Sequence, residues 1–194
     1  LRVGGEVSNR DRLIAELCTA VPDHEAPGGS AVLLTGPPGI GKSWILERLT
    51  ERVVSRGVEV IRLDGRPTDQ GVQSYRLVVA LLEEIRTRLP EATDRIVEAA
   101  SLVPSVAQAL GLGDIPIPVS DDARQRGAAL IARCHALLTQ LAAAKPVLVC
   151  VEDAHLADSG SVQLLQLAAG RAATNDGLLL VLALGGDDKV SKAL

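Results

Sequence analysis

The chain has 194 residues, 47% of them apolar, a formal net charge of −4 and only one Trp, one Tyr and no Phe or Met. That length and apolar share predict one α/β domain whose core is built from Leu, Val, Ile and Ala. The acidic balance carries no Lys/Arg block, which argues against direct nucleic-acid binding by this stretch, and the longest strictly apolar run, Leu178–Leu184, is far short of a membrane span.

Cys18, Cys134 and Cys150 lie far apart without metal-ligand or redox spacing. They read as free thiols, Cys134 and Cys150 within apolar runs, in a reducing, cytoplasmic setting. No signal peptide is visible, the chain begins at Leu1, and its final residues close no element. These features suggest a piece of a longer protein.

Arg10–Ala20 predicts a short amphipathic helix through Leu13, Ile14 and Leu17. Pro22–Ser30 reads as a loop and Ala31–Thr35 as a buried strand. Lys42–Ser55 places Ile45, Leu46, Leu49 and Val53 at helical spacing, with Gly57 as the stop. Val58–Leu63 reads as a second strand. Tyr75–Leu89 forms a helical stripe ended by Pro90, and residues 91–111 read as one or two shorter helices broken near Pro104. Gly111–Val119 is the least structured stretch. Ser120 is the expected cap of a long helix, with Asp121 and Asp122 in its first turn. Val147–Val151 is a continuous apolar run, expected to be a strand buried on both faces. Ser161–Ala173 is helical, with Asp158 or Ser159 as its cap, and Leu178–Leu184 is a fourth buried strand. Strands alternating with helices predict a parallel sheet covered on both faces.

Two segments carry chemistry. Gly36-Pro37-Pro38-Gly39-Ile40-Gly41-Lys42-Ser43 fits GxxxxGK[ST], preceded by a strand and followed by a helix. Glycines there let successive backbone N–H groups turn inward, and the following helix adds the positive end of its dipole. Lys42 supplies a mobile cation for the β- and γ-phosphates, and Ser43 a hydroxyl for Mg²⁺. Trp44, next in line, reads as a packing residue beside the phosphate loop. The second segment, Leu148–Asp153, is an apolar strand ending in two carboxylates. One acid is suited to hold Mg²⁺ and the next to polarise an attacking water, with Mg²⁺ and Lys42 as the expected compensating charge. The chain lacks an Asn-Lys-x-Asp element, which disfavours GTP. Arg48, Arg52 and Arg171 read as solvated helix charges, and Asp69 and Tyr75 as ordinary loop and helix residues.

Val149-Cys150-Val151-Glu152-Asp153-Ala154-His155-Leu156-Ala157-Asp158-Ser159 resembles the Walker B region of STAND-class ATPases. Within them it is most similar to the ATPase module of large ATP-binding LuxR-type bacterial transcriptional regulators, and the loop at 36–43 fits the same family. The resemblance implies ATP and Mg²⁺ as ligands, Glu152 as the magnesium-side acid and Asp153 as the catalytic acid. It implies that His155 and Asp158 order the loop after the strand. It further implies a P-loop three-layer sandwich of the additional-strand type. In that order the 178–184 strand lies between the 31–35 and 147–151 strands and the 58–63 strand is outermost, with a fifth strand and a lid beyond residue 194. The expected partners are other domains of the same longer chain and copies of itself. Three departures stand out: Leu156 replaces the usual Trp, Val7-Ser8-Asn9-Arg10-Asp11 lacks the usual Gly-Arg, and in Leu184-Gly185-Gly186-Asp187 the strand does not end in the polar or basic residue with which the family senses the γ-phosphate.

Overall fold

The structure is a computed structural model that describes residues 2–3, 10–22, 28–67, 74–113, 122–174 and 177–185. In chain order these form β1 (Arg2–Val3), α1 (Arg10–Ala20), β2 (Ser30–Gly36), α2 (Lys42–Val54), β3 (Glu59–Asp64) and α3 (Arg76–Arg88). There follow α4 (Thr93–Ala100), α5 (Pro104–Ala109), α6 (Ala123–Ala144), β4 (Val147–Glu152), α7 (Ser159–Arg171) and β5 (Leu178–Gly185). Short 3₁₀ turns lie at Pro90–Ala92, Ala154–Leu156 and Ala172–Thr174.

The strands form one sheet in the order β1-β2-β5-β4-β3, and every pairing is parallel. The expected arrangement holds: β5 lies between β2 and β4, and β3 is outermost on its side. The two-residue β1 pairs with Leu33 and Leu34 on the far edge, a strand too short to mark itself in the sequence.

Alternation along the central strands sorts their side chains into two cores. Val147, Val149 and Val151 of β4 and Leu178, Leu180, Leu182 and Leu184 of β5 join the layer made by α3, α4, α6 and α7. Leu148, Cys150, Leu179, Val181 and Ala183 join Ile14, Leu17, Leu46 and Leu49 of α1 and α2 on the other face. A strand covered on both sides can be apolar at every position, which explains the uninterrupted runs in β4 and β5. Helix α6 is long and apolar enough to cross a membrane by length and composition. Its Leu130, Ile131, Cys134, Leu137, Leu138 and Leu141 are instead buried in the first core, so it is a core helix of this domain.

One helix start differs from expectation. Asp122, with extended ψ, is the N-cap of α6 and accepts from the Arg124 amide at 3.3 Å. It is therefore not a first-turn residue behind a Ser120 cap; Ser120 and Asp121 lie outside the described residues, as does Asp69. For α7, Asp158 rather than Ser159 is the cap.

Cys134 and Cys150 are fully enclosed, and burial pushes both thiols up to about 12, whereas Cys18 is half-buried. The thiolate is the reacting species, so Cys134 and Cys150 should resist iodoacetamide at pH 8 in the folded protein and react once urea unfolds it. Mass-spectrometric mapping before and after denaturation checks this. Modification of Cys150 at the rate of an open thiol in native buffer would contradict the packing of α2 on β4.

Candidate functional site

At the C-terminal end of β2 the chain enters the glycine-rich loop. Gly39 (φ 79°) and Gly41 (φ 99°) take left-handed conformations that a side chain would strain, so the tight curl depends on glycine. Pro37, Pro38 and Gly39 are exposed, and Ile40 closes a turn by donating its amide to the Pro37 carbonyl at 3.3 Å. Helix α2 then starts from Gly41 with no side-chain cap and no acid in its first turn. Its leading N–H groups have no intrahelical partners and face the loop. The first helical bond is the Ile45 amide to the Gly41 carbonyl, at 3.0 Å. An uncapped, acid-free helix start behind a left-handed glycine turn suits an anion such as a phosphate group.

Lys42 turns back over this loop. Its ammonium donates to the Gly36 carbonyl at 2.8 Å and the Pro37 carbonyl at 3.1 Å. Trp44 is not part of the core: it is 37% exposed, and two guanidinium groups, of Arg10 and Arg48, lie over its ring, each 5.6 Å from the centroid. Arg10 also donates to the Ile40 carbonyl at 2.9 Å, which ties α1 to the phosphate loop. Cation–π attraction gives Trp44 its place without burial. Arg48 pairs in addition with Glu51, and Arg52 lies 3.9 Å from Asp11.

The parallel order brings the acidic end of β4 to the same end of the sheet, one strand removed from the loop. Glu152 is the last residue of β4, and its carboxylate interacts with the Ser43 hydroxyl across that gap and with Arg62 of β3. Partial burial alone would raise the Glu152 carboxyl. Hydrogen bonding from Ser43 and Arg62 outweighs it and holds the group below the usual carboxylate range. Asp153 follows in a left-handed conformation (φ 46°, ψ 40°), a costly backbone for a non-glycine residue that Asp tolerates better than most. The neighbouring strand end holds it there. The Gly65 amide donates to the Glu152 carbonyl at 2.8 Å, and a Cβ on Gly65 would sit 2.4 Å from the Asp153 carbonyl oxygen.

The side chains that bring positive charge to the acid pair do not include Lys42. Lys42 is engaged with loop carbonyls, and the positive charge comes from β3 and its end: Arg62 on Glu152, and Arg66 at 3.5 Å from Asp153 while it forks onto Asp64. Sequence reasoning missed both arginines. The available signal was the spacing Arg62-x-Asp64-x-Arg66 on a strand ending level with Glu152, a register that only the sheet order reveals.

His155 and Asp158 do order the loop after β4. His155 Nδ1 accepts from the Gly185 amide at 3.0 Å, and its ring occupies the space that a Cβ on Gly185 would fill. The bare end of β5 is thus lined by an imidazole. Asp158 caps two helices at once. It accepts from the Ser161 amide (3.0 Å) and hydroxyl (2.6 Å) of its own helix and from the Tyr75 (2.7 Å) and Arg76 (3.0 Å) amides that begin α3. Ser161 in turn accepts from the Leu77 amide at 3.0 Å. Tyr75, read from the sequence as an ordinary helix residue, is the left-handed residue at the start of α3 (φ 63°), with its ring against Gly127 and Gly160, where a Cβ on either would collide with it. Leu156 is exposed, and residues 7–9 and 186–187 lie outside the described residues.

This order of strands, with a glycine-rich loop after β2 and an acidic end on β4, defines a P-loop α/β ATPase fold. A match to the AAA ATPase domain family spans residues 6–181, and the chain belongs to that family. Among solved structures it is similar to Cdc6p from Pyrobaculum aerophilum, with 18% identity and a TM-score of 0.51. That match covers 99% of this chain and 42% of the other, so this chain spans less than half the length of its structural relative. No curated protein matches it.

Burial would raise the Asp158 carboxyl, but the bonds from Ser161, Tyr75 and Arg76 hold it below its ordinary value. A carboxyl depressed in the folded state adds stability above its unfolded pKa, and that stability is lost as the pH falls through the folded value. Asp158→Ala removes the caps of α3 and α7 together. It should cost about 2–3 kcal/mol at pH 7 and flatten the acid limb of the stability curve, as measured by urea unfolding between pH 7 and pH 3.

Proposed function

We propose that this domain is an ATP-binding and ATP-hydrolysing switch, part of a longer multidomain signalling or transcriptional regulator of the STAND class. The observation that carries the reading is the parallel order β2-β5-β4, which brings the phosphate loop after β2 and the acidic end of β4 to one edge of the sheet with a single strand between them. In this reading Gly36, Pro37, Pro38, Gly39, Ile40, Gly41 and the first-turn amides through Trp44 cradle the triphosphate. Lys42 leaves the Gly36 and Pro37 carbonyls for the terminal phosphates. Ser43 and Glu152 are the ligands for Mg²⁺, a hydroxyl and a carboxylate being the hard oxygen donors that ion takes. Bound there, Mg²⁺ neutralises phosphate charge. Asp153, held by its left-handed backbone beside Gly65, accepts a hydrogen bond from the attacking water and orients it.

The family match supports nucleotide binding, and the His-x-Ala-Asp tail (His155–Asp158) supports the regulator class. The domain works in the cytoplasm beside further domains of its own chain, and copies of itself are possible partners. A second reading, a nucleotide-binding scaffold with little turnover, is favoured by one observation. The end of β5 presents Gly185, its amide already engaged by His155, where a polar side chain would otherwise face the terminal phosphate.

Two variants separate these readings. Lys42→Ala should weaken ATP binding in calorimetry by about 2–5 kcal/mol, the scale of losing a desolvated charge partner. Equal affinity in the variant would remove the loop from the site. Asp153→Asn should abolish phosphate release while leaving ATP affinity within a few-fold. Phosphate release untouched by that change would remove Asp153 from the chemistry, and a wild-type protein that binds ATP without turnover selects the scaffold.

A further inference from the structure

We propose that Arg62 gates the metal position: it occupies the Glu152 carboxylate in competition with the divalent cation and so sets how much Mg²⁺ nucleotide binding requires. The inference rests on the reading of Ser43 and Glu152 as the metal ligands.

The argument begins with register. In the β3–β4 pair, Arg62 is level with Cys150 and Asp64 with Glu152. Residues of equal parity on neighbouring strands share a face. Val60 on β3, and Leu148 and Cys150 on β4, pack into the α1–α2 core, so Arg62 and Glu152 belong to the face that carries α2 and its Ser43. From there the Arg62 Nη2 donates to the Glu152 Oε1 at 2.5 Å. The helix that carries Ser43 and the Glu152 carboxylate therefore share one face of the sheet, and a guanidinium already sits on one oxygen of that carboxylate. A carboxylate oxygen that accepts from a guanidinium has less negative charge to offer a metal, and a fixed positive charge beside it repels a second cation.

The exposures of the two partners differ in the way a gate needs. The Glu152 side chain is 20% exposed and fixed at the strand end, whereas that of Arg62 is 42% exposed at the sheet margin. Arg62 can leave without unpacking anything. Arg62 thus sits on Glu152 when no metal is bound and gives way to solvent when one is.

The test uses the whole 194-residue chain, with ATP fixed and MgCl₂ titrated. Calorimetry and the fluorescence of Trp44, the sole tryptophan, are the readouts. Arg62→Gln should lower the half-saturating Mg²⁺ about fivefold, the scale expected from removing one partly exposed ion pair. Arg62→Lys should fall between it and wild type. A residue that only braced the fold would act oppositely, its loss raising the Mg²⁺ needed. An unchanged or raised Mg²⁺ requirement in an Arg62→Gln protein with wild-type circular dichroism overturns the gate and leaves the nucleotide site standing. A wild-type protein with no Mg²⁺-dependent ATP binding overturns both.

Discussion

Everything at the functional end of this domain depends on β5 lying in parallel between β2 and β4. Parallel strands deliver their C-terminal ends to one edge of a sheet, and open α/β sheets bind their ligands at that edge. With adjacent strands about 4.8 Å apart, the loop after β2 and the acids ending β4 are separated by roughly 10 Å. Ser43, in the first turn of α2 at the end of the loop, lies on the face of the sheet that carries Glu152. The burial of β5 on both faces is what secures the spacing, since Leu178, Leu180, Leu182 and Leu184 belong to one core and Leu179, Val181 and Ala183 to the other. Slipping β5 by one residue would exchange every one of these side chains between cores.

Around that spacing the outer strand and the loop after β4 act as a frame. Arg62 and Arg66 place positive charge beside Glu152 and Asp153, and Gly65 lets the backbone approach closely enough to hold Asp153 in its left-handed conformation. His155 takes the end of β5, and Asp158 joins the starts of α3 and α7. The acids are therefore placed by contacts from β3, from the end of β5 and from the loop after β4 together, so that no single element sets their position.

Much of this was legible in the sequence because the signals were local. The loop at 36–43 declares itself by glycine spacing between a strand and a helix, and the β4 and β5 runs by unbroken apolar length. The strand order followed from family resemblance, and Asp158 and His155 were correctly expected to order the loop after β4. What escaped depends on contacts distant in sequence. Arg62 and Glu152 are ninety positions apart and meet only through register. Trp44 was read as a packing residue beside the loop, and what packs on it escaped the sequence: two arginines, one from α1, lie over a ring that stays at the surface. The charge opposite the acids was expected from Mg²⁺ and Lys42, and the arginines escaped because no sequence pattern reports which way a long flexible side chain turns. The two-residue β1 had no pattern to find, and Asp122 replaced Ser120 as a cap because several consecutive polar residues compete for one helix start.

The central claim is that the amides after Thr35 and the carboxylates ending β4 share one metal–triphosphate group. Paramagnetic relaxation by Mn²⁺ added with ATP measures this directly on backbone amide signals. The account predicts selective broadening at Gly39–Ser43 and at Glu152 and Asp153, with Ser30 and Val147 at the other end of the same strands unaffected. Broadening confined to one of the two segments, or centred on the opposite end of the sheet, would contradict it.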